Sequence, residues 1–174
     1  NASDTPYNEF DDVNPVGLFA KSKYAGEKFV IQLMTRYVII RSSWIYGIGK
    51  DFLNEVLEAA ADPKVSTMEL WNNDRAVPTS AAELARVVKF FIDNDHYGIY
   101  HAVCSGGSCT RLEFAEEILR LAGKEDQLTV TVKDRAPEKY SVLDNMMLRL
   151  NGIEEPDDWR ETLAAYMNET GGLE

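Results

Sequence analysis

The sequence is poor in the features that would mark it for several common tasks. It has two cysteines in 174 residues, which cannot build a disulfide framework in a chain this long. As isolated thiols, Cys104 and Cys109 suit a reducing, cytoplasmic setting. Basic residues are scarce: 18 lysines and arginines stand against 29 aspartates and glutamates, a net charge of −11. That balance argues against a nucleic-acid partner, which needs a basic face to neutralise phosphates. It still allows a local basic pocket for a small anion. No apolar run approaches the roughly 18 residues of a membrane span, and no signal peptide is visible, so no membrane partner is expected. Internal repeats, low-complexity tracts and linkers are also missing.

What is present is ordinary globular material, 45% hydrophobic and 27% charged, and long enough for one domain with a real core. Asn14 and Pro15 predict the cap and first turn of a helix reaching about Met34. "YVIIRSS" reads as a short buried strand. "GIGKDFLNEVLEAAA" turns into a helix stopped near Asp62-Pro63, and "STMELW" reads as a strand. Ser80 with Glu83, and Thr110 with Glu113, predict capping boxes for helices to about Ile92 and Leu121. "GIYHAV" and "QLTVTV" are strand-like, and "PDDWRETLAAYMNE" predicts a last helix closed by Gly171 and Gly172. Strands alternating with helices make residues 1–174 a single α/β unit without an internal linker.

Several stretches invite a chemical reading. "GIGKDF" follows a strand and opens a helix, but Phe52 stands where a dinucleotide fingerprint needs its third glycine, so a plain turn is expected. His101, Cys104 and Cys109 lack the spacing and the fourth ligand of a zinc site, and no metal is expected. Trp44, Trp71 and Trp159 read as core or pocket-wall aromatics. Lys23 is less ordinary. On a 3.6-residue period, Phe19, Lys23, Gly26, Val30 and Leu33 share one helix face, so a lysine falls inside an apolar stripe. Snorkelling of its stem is the plain explanation.

The neighbours of Lys23 supply another explanation. "SKYAGE" carries Ser22, Lys23, Gly26 and Glu27 in the arrangement found on the active-site helix of extended short-chain dehydrogenase/reductases. Downstream, "RSSWIYG" with "KDF", "VPTSAAELARV", "GIYHAVCSGGSCTRLEFAEEI", "SVLDN" and Trp159 resemble, in order, segments of the dTDP-4-dehydrorhamnose reductase family. The resemblance covers nearly the whole chain. It implies the C-terminal, substrate-binding part of an NAD(P)-binding, Rossmann-like enzyme, with the N-terminal dinucleotide-binding half missing.

Such enzymes use NADPH to reduce a 4-keto sugar nucleotide on the route to dTDP-L-rhamnose. The resemblance assigns Lys23 to the nicotinamide ribose and places Ser43 beside the cofactor. The family lysine also favours the phenolate of a neighbouring tyrosine of ordinary pKa ~10. That tyrosine gives its proton to the substrate carbonyl oxygen as hydride arrives. The substrate side falls to Trp44, Asp51 and Phe52, with Arg75 and Arg135 offsetting the diphosphate.

Two departures shape the expectation. Phe19 occupies the tyrosine position and has no proton to give, while Tyr24 points about 100° away from Lys23 on a helix. The Gly-rich pyrophosphate turn and the upstream catalytic Ser or Thr have no counterpart here. This chain alone is therefore expected to be inactive and to bind NADP(H) or NAD(H) tightly only as part of a full-length parent. A nucleotide sugar is the expected small-molecule partner. A homo-oligomer is expected through the surface that the missing half would cover. The alternative is a reductase-like binding or regulatory subunit without catalysis, and an epimerase is a third reading.

Overall fold

The computed structural model describes residues 5–133 and 139–170. Arg135, Gly171 and Gly172, named above, lie outside the described residues.

The first helix, α1 (Gly17–Leu33), is followed by β1 (Val38–Arg41), β2 (Ile45–Tyr46), α2 (Phe52–Ala61), β3 (Thr67–Trp71), β4 (Asp74–Ala76) and β5 (Thr79–Ser80). Then come α3 (Ala81–Asp93), β6 (Gly98–His101), β7 (Cys109–Thr110), α4 (Arg111–Ala122) and β8 (Thr129–Lys133). The order closes with β9 (Lys139–Tyr140), α5 (Met146–Leu150) and α6 (Trp159–Thr170). Three parallel pairs, β1 with β6, β2 with β5 and β3 with β8, are joined by a three-stranded sheet in the order β7-β4-β9. The crossovers between parallel partners carry helices, as parallel pairing requires.

Local chemistry accounts for most helix ends. The Asp51 carboxylate accepts the Asn54 N–H at 2.9 Å and starts α2. The Thr110 hydroxyl and the Glu113 carboxylate exchange bonds with each other's backbone N–H, the reciprocal box the sequence predicts. Gly123 then closes α4 in the left-handed region, at φ 63°. Two expectations are corrected. Ser80 caps α3 through the Ala82 N–H, but Glu83 turns away to Arg86 and to the Asp157 N–H, so no reciprocal box forms. And α1 begins at Gly17 behind Val16 with no side-chain cap, leaving Asn14 and Pro15 in the preceding segment.

The main core gathers Tyr46, Leu53, Phe114, Ile118, Trp159 and Leu163, so α2, α4 and α6 pack around one apolar cluster. A second cluster of Val87, Phe91, Tyr100 and Leu148 lies under β6. Helix α1 joins neither: none of its residues is buried, Phe19 is 75% and Leu33 78% exposed. The sequence places Lys23 on a stripe of apolar side chains, and the stripe exists, but no described element covers it. The lysine is correspondingly exposed. Helical period identifies a face; it does not say what will pack there.

Candidate functional site

Segment 7–15 runs along the ends of β1 and β6 and, with the inward side of α1, encloses a cleft of about 550 Å³. Backbone bonds from Tyr7 to Val142 and from Asp144 to Tyr7 tie the segment down. Glu9 Oε1 accepts two backbone N–H groups, from His101 at 2.8 Å and Met147 at 3.2 Å. Helix α1 is pinned by a bidentate pair in which Arg41 Nε and Nη2 donate to Glu27 at 3.0 and 2.6 Å. This geometry turns Tyr24 and Glu27 toward the body, and both line the cleft with Lys23. The Glu27 bond, more than the opposing effect of burial, holds the Arg41 guanidinium above its ordinary pKa.

Lys23 makes no hydrogen bond or ion pair among the described residues; its ammonium lies 5.5 Å from the centre of the Phe19 ring. Ser43 lines the same cleft, while the Ser42 hydroxyl donates to the Ala102 carbonyl at 2.7 Å. An uncommitted ammonium and a serine thus line one cleft.

His101 is a cleft residue that sequence spacing offers only as a doubtful zinc ligand. It is 2% exposed, and its Nδ1 sits 3.1 Å from both the Tyr7 and Asp144 carbonyls. Nδ1 must carry the proton to satisfy them, so Nε2 presents a lone pair. That Nε2 and Glu9 Oε2 are both buried without a partner. Burial pushes the imidazole below its ordinary pKa, with Arg41 acting the same way and Glu9 opposing. Cys104 and Cys109 are free, buried thiols, the latter pushed up to about 12 by burial.

The residue after Ser43 belongs to a second constellation. Trp44 adopts φ 39°, a conformation costly for a bulky side chain. Its carbonyl accepts the Thr79 N–H at 3.1 Å. Its half-buried ring lies 3.8 Å from the guanidinium carbon of Arg111, which is also 4.5 Å from the Phe52 ring centre. Trp44 and Phe52 thus share Arg111 and the Phe114 ring as neighbours. Trp71 is exposed and Trp159 is core.

The remaining expected ligands are committed elsewhere. Asp51, besides capping α2, accepts the Gly47 N–H at 2.7 Å, so its carboxylate is committed to the backbone of its own turn. Arg75 donates to the Ser108 carbonyl at 3.1 Å and reaches Glu113 at 3.5 Å. Arg111 is the residue that sequence reasoning misses. It opens a well-signalled helix, but its aromatic partners come from far earlier in the chain.

Residues 1–171 match the family model described as the RmlD substrate binding domain. The spore coat polysaccharide biosynthesis protein SpsK of Bacillus subtilis is 34% identical over 170 residues, covering 94% of this chain and 58% of that protein. A dTDP-4-dehydrorhamnose reductase of Mycobacterium tuberculosis is 28% identical over 174 residues, or 95% of this chain and 57% of that one. Among solved structures, a dTDP-4-dehydrorhamnose reductase from Clostridium acetobutylicum superposes with a TM-score of 0.87 at 35% identity, covering 98% of this chain and 61% of that one. The Bacillus anthracis reductase in complex with NADP gives 0.87 at 32% identity, over 95% and 59% of the two chains. A dTDP-glucose 4,6-dehydratase at 12% identity, TM-score 0.78, shares the fold alone. The chain thus spans rather less than two thirds of the length of these relatives.

Proposed function

The chain belongs to the RmlD substrate-binding domain family, and we propose that it is the sugar-nucleotide-binding part of an NADPH-dependent reductase of 4-keto sugar nucleotides. The carrying observation is that Lys23 and Ser43 share one cleft, and the next residue, Trp44, opens an aromatic site with Phe52 and Arg111. Cofactor and substrate ends of a reaction centre would then meet across Ser43–Trp44.

When bound, the nicotinamide supplies hydride. Lys23 would hold the ribose hydroxyls, Ser43 would flank the ring, and Trp44 would wall the sugar. Titration of the 174-residue chain with dTDP-L-rhamnose, followed by tryptophan fluorescence, tests the reading. Saturable quenching that free L-rhamnose does not reproduce is expected; no response to the nucleotide sugar would contradict it.

Phe19 favours a second reading, a binding or regulatory subunit without catalysis, because a phenyl ring beside Lys23 cannot donate a proton. The two readings part in a protein that joins this chain to a dinucleotide-binding half. There Phe19→Tyr should raise reduction about 10²- to 10⁴-fold if the remaining site is catalytic. An unchanged rate supports the binding reading.

A second copy of this chain is the proposed cover for the exposed apolar face of α1 and for the edge of β1 that no described strand pairs. The cytoplasm is the proposed location, where Cys104 and Cys109 stay reduced.

A further inference from the structure

Arg111 stands apart from its neighbours in what its guanidinium does. Arg41, Arg75, Arg86, Arg149 and Arg160 each donate to a named oxygen. Arg111 makes no hydrogen bond or ion pair among the described residues, and only its contacts with Trp44 and Phe52 define its place. Arg111 is half-buried, with its guanidinium carbon over those rings. Burial lowers its pKa from the ordinary arginine value, while Asp74 and Glu55 oppose this without touching it.

Leaving a partly desolvated charge without hydrogen bonds is unfavourable. The rings lie within 4.5 Å of the guanidinium carbon, and a guanidinium held on aromatic faces keeps its five N–H donors for other partners. Such a fork matches two oxygens of one phosphate. The neighbouring helix end does not compete for that anion. The Leu112 N–H is taken by Asn72 Oδ1 at 3.0 Å and the Glu113 N–H by the Thr110 hydroxyl. Arg75, also near Cys109, is held by Ser108 and Glu113. Independently, Trp44 is kept at φ 39° to present its ring to this place, and strain of that kind gathers at ligand clamps.

We propose that Arg111 is the diphosphate-binding residue of this chain, its guanidinium pre-set by Trp44 and Phe52 to take phosphate oxygens of the sugar nucleotide edge-on. This rests on the nucleotide-sugar reading above, and it moves the role that the resemblance gives to Arg75 onto Arg111. Arg75 becomes a residue that joins β4 to the loop before β7.

The test is calorimetric titration of the 174-residue chain, wild type, Arg111→Gln and Arg111→Lys, with inorganic pyrophosphate, dTDP and thymidine. Far-UV circular dichroism and melting establish that each variant is folded, and Arg111→Lys, which keeps charge and stem, carries the test if Arg111→Gln does not fold. Loss of a charge-assisted bidentate contact should weaken dTDP and pyrophosphate about 10- to 100-fold in Arg111→Gln, less in Arg111→Lys, and leave thymidine unchanged. Equal dTDP affinity in wild type and folded variants overturns the role of Arg111 while leaving the nucleotide-sugar reading standing. Arg111-dependent binding of pyrophosphate, with dTDP bound no tighter, keeps the role and removes that reading. Failure of wild type to bind either anion overturns both.

Discussion

Glu9 reaches His101 through the backbone and leaves it alone at the ring: Oε1 accepts the His101 N–H at 2.8 Å, while Oε2 and the imidazole Nε2 are both buried without a partner. The histidine is thus kept neutral by burial, with its proton on Nδ1 between two carbonyls.

This arrangement predicts a pH dependence. The folded pKa of His101 is lowered, so the unfolded chain binds the proton first as pH falls. Its contribution is whole above the ordinary histidine value of about 6.5 and is lost as pH falls from there toward the folded value. The slope from one such group is at most about 1.4 kcal/mol per pH unit. Melting between pH 7.5 and 5.5 should show a falling midpoint, and His101→Asn, which can keep the Nδ1 donor bond, should flatten the fall. A wild-type midpoint that stays level over that range would contradict the assignment.

Asp51 is read as a cap, not a substrate ligand, and the two roles separate by mutation. Its two oxygens hold the Gly47 and Asn54 N–H groups. Asp51→Ala should cost about 1 kcal/mol, within the ~0.5–2 range of N-cap losses, whereas Asp51→Asn should recover only part of it, because one amide oxygen can cap Asn54 but the amide nitrogen cannot accept the Gly47 N–H. Urea unfolding of the three proteins measures this. A neutral Asp51→Ala with weakened binding of dTDP-L-rhamnose would return Asp51 to the substrate.

What was legible in the sequence was local. Thr110 and Glu113 announce α4 because both partners of the cap lie within one turn. The β-branched and aromatic runs that form β1 and β6 are visible at a glance, and their parallel pairing follows from the intervening helices. Lys23 stands out through the motif around it, and it lines a cleft with Ser43. What depends on distant chain was not legible. Glu9 bridges to residues 101 and 147, and Arg111 rests on Trp44 and Phe52. The apolar stripe of α1 is plain in the sequence, but its exposure depends on what else packs there.

That uncovered stripe leads to an assembly prediction. Leu18, Phe19, Phe29 and Leu33 are exposed on one helix, and β1 has only β6 beside it among the described residues. An open edge of this kind pairs readily with another chain. Sedimentation equilibrium at micromolar concentration should give a dimer or higher oligomer, and Leu18→Glu with Phe29→Glu should shift it toward monomer. A clean monomer of 19.6 kDa in the wild type would rule the assembly out.

The central proposal is a nucleotide-sugar site that meets a cofactor cleft at Ser43–Trp44. The most direct measurement is the indole N–H region of a ¹⁵N-labelled sample, where Trp44, Trp71 and Trp159 each give one signal. Saturating dTDP-L-rhamnose should move the Trp44 signal, which sits on Arg111 at the site. It should leave Trp159 in the core, 1% exposed, where it is. A titration that shifts Trp71 alone, or leaves all three signals unmoved, would contradict the placement of the site.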